Sequence, residues 1–133
     1  MMFVHEYAKL ELTLMTTQTV LREDVPLRGS AAERVHKAMQ FFEQELDRSP
    51  NLDEIAKHTG ISPVQLRRHF HEVMRASPKK IFDQIRFQKA FQLMSNSTHS
   101  LEEISSRCGF ESPSAFSRAF KVKYGSSPTQ WRL

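Results

Sequence analysis

The sequence predicts an all-α fold in which two helix-turn-helix units are joined by a long central helix, with a helical extension in front. Apolar residues recur at spacings of three and four almost throughout, the period of a helix that buries one face. Alternating or β-branched runs bounded by turns, the marks of strands, are scarce. A short-helix, glycine, long-helix pattern occurs twice.

The elements follow in chain order. Phe3, Val4, Tyr7, Leu10 and Leu14 share a helical face, which the threonine-rich run 13–19 weakens. Residues 22–30, with Pro26 and Gly29, read as a linker. Val35, Met39, Phe42 and Leu46 form the apolar stripe of a helix beginning near Ala31, and Ser49-Pro50 should stop it, because a residue before proline is pushed out of the helical region. A short helix follows from Leu52 to about Thr59. Gly60 supplies a tight turn, Ser62 caps the next helix and Pro63 suits its first position, where no N–H is needed. Leu66, Phe70 and Val73 lie on the inward face of that helix. A long helix spans 78–95, and after the polar residues 95–100 the pattern returns.

The return is residue by residue. Leu52, Glu54, Ile55 and Gly60 recur as Leu101, Glu103, Ile104 and Gly109, with Ala56 matched by Ser105. Glu111 is inserted, and then Ser62, Pro63, Arg68, Phe70, Ser77 and Pro78 recur as Ser112, Pro113, Arg118, Phe120, Ser127 and Pro128. A small residue lets two helices approach, a glycine turns the chain and a capped helix leaves steeply, which describes a helix-turn-helix. The units occupy 52–74 and 101–124.

Charge points the same way. The chain of 133 residues carries a formal charge of +4, concentrated after Ser62, while 31–61 is slightly acidic. That asymmetry suits a polyanion. With Leu66 and Phe70 inward, the candidate base contacts of the first unit are Val64, Gln65, Arg67 and Arg68. Those of the second are Ser114, Ser117 and Arg118. Arginine can bond guanine with two parallel hydrogen bonds, and serine bonds either bases or phosphates. The candidate phosphate contacts are Ser62, His71, Lys79, Lys80, Ser112, Lys121, Lys123 and Arg132. The partner these residues imply is double-stranded DNA, a promoter or operator.

Other classes are weaker. Cys108 is the one cysteine, so it closes no internal disulfide. It is the natural nucleophile for a DNA-repair alkyltransferase reading, but such a thiolate needs an accessible, electropositive setting, and a small buried hydrophobe is the competing role. His69 and His71 are two apart on a helix and do not share a face, so no metal and no cofactor are expected. A protein-interaction module docking through the N-terminal helix is compatible with DNA binding. No apolar run approaches the roughly 18 residues of a membrane span, and no signal peptide stands at the start, which places the chain in the cytoplasm.

The chain resembles the AraC/XylS family of bacterial transcription regulators over about 35–133. The resemblance rests on Leu-Asp-Glu-Ile-Ala from Leu52, Ser-Pro-Val-Gln-Leu-Arg-Arg-His-Phe from Ser62, Ser77-Pro78, and Arg86 with Ala90 and Leu93. More specific are Cys108-Gly109-Phe110, Phe116-Ser117-Arg118-Ala119-Phe120-Lys121, Gly125-Ser126-Ser127-Pro128 and Trp131-Arg132. It implies about seven homeodomain-like helices, with both recognition helices in successive major grooves about 34 Å apart. It also implies that Val64, Arg67, Arg68, Ser114, Ser117 and Arg118 are the base-contacting positions. Activation is the family's usual output, with RNA polymerase as a further partner. The chain departs from the pattern at Arg75, which stands where a glycine is usual and should make the first turn locally different, and at Ser105, which replaces an alanine. Residues 1–30 are then an extension, or the remnant of a sensor domain with its linker and a route to homodimers. Residues 31–133 form the DNA-binding domain.

Overall fold

The sequence places a serine or asparagine before nearly every helix, and the computed structural model, which describes residues 30–132, shows these side chains at work. Seven α-helices run α1 (Ala31–Gln44), α2 (Leu52–Thr59), α3 (Pro63–Met74), α4 (Pro78–Asn96), α5 (Leu101–Arg107), α6 (Pro113–Tyr124) and α7 (Pro128–Arg132). Ser30, Asn51, Ser62, Ser77, Ser100 and Ser112 each accept a hydrogen bond from a first-turn backbone N–H. Asn51 with Glu54 and Ser62 with Gln65 close reciprocal capping boxes. Proline opens α3, α4 and α6. The readings that fall on residues 1–29 lie outside the described residues.

Two separate cores follow. Val35, Met39 and Phe42 of α1 pack with Ile55 of α2 and with Leu66 and Phe70 of α3. Ile104, Cys108, Phe116, Phe120 and Tyr124 form the second core, roofed by Trp131 of α7. Helix α4 belongs to both. Pro78, Ile81, Phe82 and Ile85 are buried in its first half, and Phe87, Ala90, Phe91 and Met94 in its second. At roughly 100° per residue, the step from Ile85 to Phe87 carries the apolar stripe to almost the opposite side of the helix. The subdomains therefore pack on opposite faces of α4, and the helix as a whole has no single apolar side.

Three expectations need correction. The first helix does not reach Ser49: it ends at Gln44, and Leu46–Arg48 form a 3₁₀ turn. Leu46 remains buried because that turn folds back onto the core, and Ser49 takes a left-handed conformation (φ 49°), with its Cβ lying against Gly109 of the second subdomain. The central helix runs to Asn96, one residue past the expected end. Arg75 does not alter the first turn. It adopts φ 56° and ends α3 as Gly125, at φ 84°, ends α6, so a side chain occupies a conformation that glycine enters without steric cost.

The subdomains meet at a narrow seam. Gly109 (φ +79°) lies directly against the 3₁₀ turn: a Cβ there would overlap the Leu46 carbonyl oxygen and stand 3.1 Å from Ser49 Cβ. Arg86, at the midpoint of α4, donates to Ser49 Oγ at 2.8 Å and lies over Phe42 (5.5 Å) and Phe110 (5.4 Å). Burial lowers its pKa from the usual arginine value, with Asp83 opposing the shift.

Candidate nucleic-acid interface

Each helix-turn-helix is built from a short helix, a left-handed glycine and a proline-started second helix. Gly60 (φ 76°) and Gly109 (φ 79°) make the two turns. Ile61 N–H donates to the Ala56 carbonyl at 3.2 Å, and Phe110 N–H to that of Ser105 at 3.0 Å, so the two turns close alike. Ala56 and Ser105 are buried where the paired helices approach. The inserted Glu111 is exposed and leaves this geometry intact.

With Leu66 and Phe70 inward, α3 presents Val64, Arg68 and Glu72 along its outer face, with Arg67 and His71 beside them, all exposed. With Phe116, Phe120 and Tyr124 inward, α6 presents Ser114, Arg118 and Val122, with Lys121 beside them. Ser117 is half-buried at the edge of this face. Lys79 and Lys80 are exposed in the first turn of α4. Elsewhere Lys37 pairs with Glu33, Arg48 with Glu45 and Arg86 with Asp83, while Lys57, Arg75, Lys89 and Arg107 hold no ion pair among the described residues. Arg67, Arg68, Arg118, Lys79, Lys80 and Lys121 hold no ion pair among the described residues, so their charge faces outward.

The structure gives several candidates other work. Gln65 Oε1 accepts from Ser62 N–H (3.1 Å) and Ser62 Oγ (3.3 Å), which draws this side chain back onto its own helix start and away from a base edge. Ser62 Oγ also accepts from the Gln65 backbone N–H, so its hydroxyl is engaged on both sides, whereas Ser112 accepts from Ala115 N–H and keeps its hydroxyl proton for a phosphate. Lys123 is half-buried, with its ammonium 5.6 Å from the Phe87 ring centroid, and so is set apart from Lys121. Arg132 is not a free cation: its guanidinium donates to the carbonyls of His99 and Ser97, fastening α7 to the loop after α4. The sequence reading missed Val122, which is 88% exposed, and Glu72 at the equivalent place in α3. Spacing of four from Arg118 and Arg68 was the available signal. His69 Nδ1 lies 3.7 Å from Glu72 Oε2, beyond hydrogen-bond reach.

Cys108 is fully buried in the second core. Burial pushes its thiol up to about 11, against the opposing pull of Lys89 and Arg86. No group of three or more His, Cys, Asp or Glu among the described residues could hold a metal ion, and none of these helices is long and apolar enough to cross a membrane.

Comparison with known proteins gives a consistent result. Residues 55–133 match the family described as a helix-turn-helix domain. The chain is 29% identical over 114 residues to the HTH-type transcriptional regulator ArgR of Pseudomonas aeruginosa, a match covering 84% of this chain and 35% of that protein. It is 36% identical over 90 residues to the urease operon transcriptional activator of Escherichia coli, covering 68% and 30% respectively. The chain thus spans about a third of the length of the curated relatives it matches. Among solved structures, an AraC-type DNA-binding regulator from Chromobacterium violaceum aligns with a TM-score of 0.68 at 27% identity, covering 75% of this chain and 89% of the other. The DNA-binding domain of AdpA, a global transcriptional factor, in complex with a target DNA aligns with a TM-score of 0.67 at 26% identity, covering 74% and 89%.

Proposed function

The chain belongs to the AraC/XylS family of helix-turn-helix transcription regulators, and from that premise we propose that residues 31–133 form a DNA-binding domain that reads an asymmetric site with α3 and α6 in successive major grooves. The observation that carries this reading is the equivalence of Arg68 and Arg118. Each is exposed, holds no ion pair among the described residues, and stands at the same position of a capped, proline-started helix. Such arginines can discriminate guanine by bidentate bonding, each good pair being worth ~1–3 kcal/mol against the wrong base.

In this proposal Val64, Arg67 and Arg68 in one groove and Ser114, Ser117 and Arg118 in the other face base edges. Lys79, Lys80, His71 and Lys121 neutralise phosphates, which position the protein without reading sequence. Val64 adds a 62% exposed apolar surface beside Arg68, suited to a thymine methyl. The site lies in double-stranded promoter DNA, and the protein acts in the cytoplasm. Activation is supported by a relative named as the urease operon transcriptional activator, and RNA polymerase is the partner through which such an output would act. No catalytic step is assigned, because Cys108, the residue an alkyltransferase reading requires, is buried and held protonated.

The test is selection from random duplexes of roughly 25 base pairs, followed by affinity for the winner and a scrambled control at several salt concentrations. Two blocks about one helical turn apart, bound about 10³-fold more tightly than the control, are the expected result. Equal, salt-sensitive binding to both duplexes would overturn the reading.

A further inference from the structure

We propose that Val122 is a specificity-determining residue of the second unit, reading the 5-methyl group of a thymine beyond the base addressed by Arg118. Val122 is 88% exposed, more so than Val64, the other large hydrophobic left open to solvent among the described residues. Single exposed valines are ordinary, and this one is set apart by where it stands. Ser114, Arg118 and Val122 follow one another at intervals of four residues and form a continuous stripe on the side of α6 opposite Phe116 and Phe120. Every other exposed side chain on this face is polar or charged. A valine there offers methyl groups to whatever the stripe meets, and the apolar feature of a major groove is the thymine methyl.

Four helical residues advance about 6 Å, and base pairs are spaced ~3.4 Å, so the methyl lies one to two base pairs from the Arg118 contact. The first unit sharpens the inference. At the same place α3 carries Glu72, a carboxylate that accepts from cytosine N4 and gains nothing from a thymine methyl. The two units then differ in the chemistry of their third helical turn, and the methyl preference belongs to one block alone.

This inference rests on the proposed DNA reading, and its test separates the two. In the duplex that selection returns, each thymine of the second block is replaced in turn by deoxyuridine, which removes only the methyl group. The protein should lose about three- to fivefold in affinity at one thymine, one to two base pairs from the guanine whose replacement is silenced by Arg118→Ala. Val122→Ser should bind the thymine and uracil duplexes equally while retaining the two-block motif. Its thermal unfolding should match the parent's, because the side chain is exposed. If no thymine in the block responds to loss of its methyl, or if Val122→Ser keeps the full response, the inference is overturned while the two-block reading stands. Absence of any selected motif would remove both.

Discussion

The guanidinium of Arg86 reaches 2.8 Å to the Ser49 hydroxyl across 37 positions of the chain, and in doing so lies between Phe42 of one subdomain and Phe110 of the other. Ser49 is available to it because the chain before Pro50 turns through a left-handed residue instead of continuing α1. The two units are therefore held by a polar pin with aromatic walls, beside the backbone contact at Gly109.

Gly109→Ala should damage both fold and recognition. The added carbon collides with the Leu46 carbonyl, which is backbone and cannot swing aside, and alanine at φ +79° is itself strained by ~1–2 kcal/mol. We expect a loss of at least ~2 kcal/mol in urea unfolding. Any folded fraction should bind its two-block site more weakly because the angle between the units has changed. An unchanged midpoint would contradict the seam geometry.

Arg75→Gly should stabilise. Arg75 ends α3 at φ 56°, where a side chain is disfavoured and glycine is at ease. After the greater entropy glycine loses on folding, a gain of about 0.5–1 kcal/mol remains, readable as a raised thermal midpoint.

Ser105→Ala should stabilise as well. Ser105 Oγ is buried between the helices of the second unit with no hydrogen-bond partner. An unsatisfied buried hydroxyl costs ~1–3 kcal/mol, and alanine favours the helix. A gain of roughly 1 kcal/mol by denaturant titration is expected, and a loss would mean that the hydroxyl has a partner in solution.

Lys121→Ala and Arg132→Ala should separate DNA contact from structure. Removing one phosphate contact lowers the slope of log affinity against log salt by about one, so Lys121→Ala should flatten that plot. Arg132 is engaged with the carbonyls of Ser97 and His99, so its loss should lower the melting temperature and leave the slope unchanged.

The Cys108 thiol should resist mild reagents at pH 8 and react only on unfolding. Its raised folded pKa also fixes the direction of a pH effect. Below pH 9 both states keep the proton and the group contributes no pH dependence; above it the unfolded state ionises first, so stability falls until about pH 11. Cys108→Ala should remove that alkaline component, which a pH series of unfolding curves would read.

Much of this was legible in the sequence because caps and turns are local chemistry. Ser62 and Ser112 act on backbone groups three residues away, and Gly60 and Gly109 make their turns where the repeat places them. Arg132 read as a surface charge because its acceptors, Ser97 and His99, are more than 30 residues distant. Gln65 was assigned outward by helical phase, which says nothing of a side chain curling back to its cap. The bend at Ser49 was hidden too, since its reason lies in Gly109 and Arg86, both in later elements. Val122 goes unnoticed in the sequence because an apolar residue does not announce a role on a charged face, although its spacing of four from Arg118 is there to be read.

The opposite burial of the two halves of α4 carries a consequence for insertions and deletions. One residue added or removed between Ile85 and Phe87 would turn everything after it by roughly 100° about the helix axis and displace it by about 1.5 Å. Lengthening a surface loop perturbs its neighbourhood, as Glu111 does in the second turn, where the extra residue is exposed and the helices around it keep their places. Lengthening α4 would re-aim half of the molecule. Its residue count is a phase setting, and frame-preserving indels there should be the least tolerated in the chain even when every added residue favours a helix.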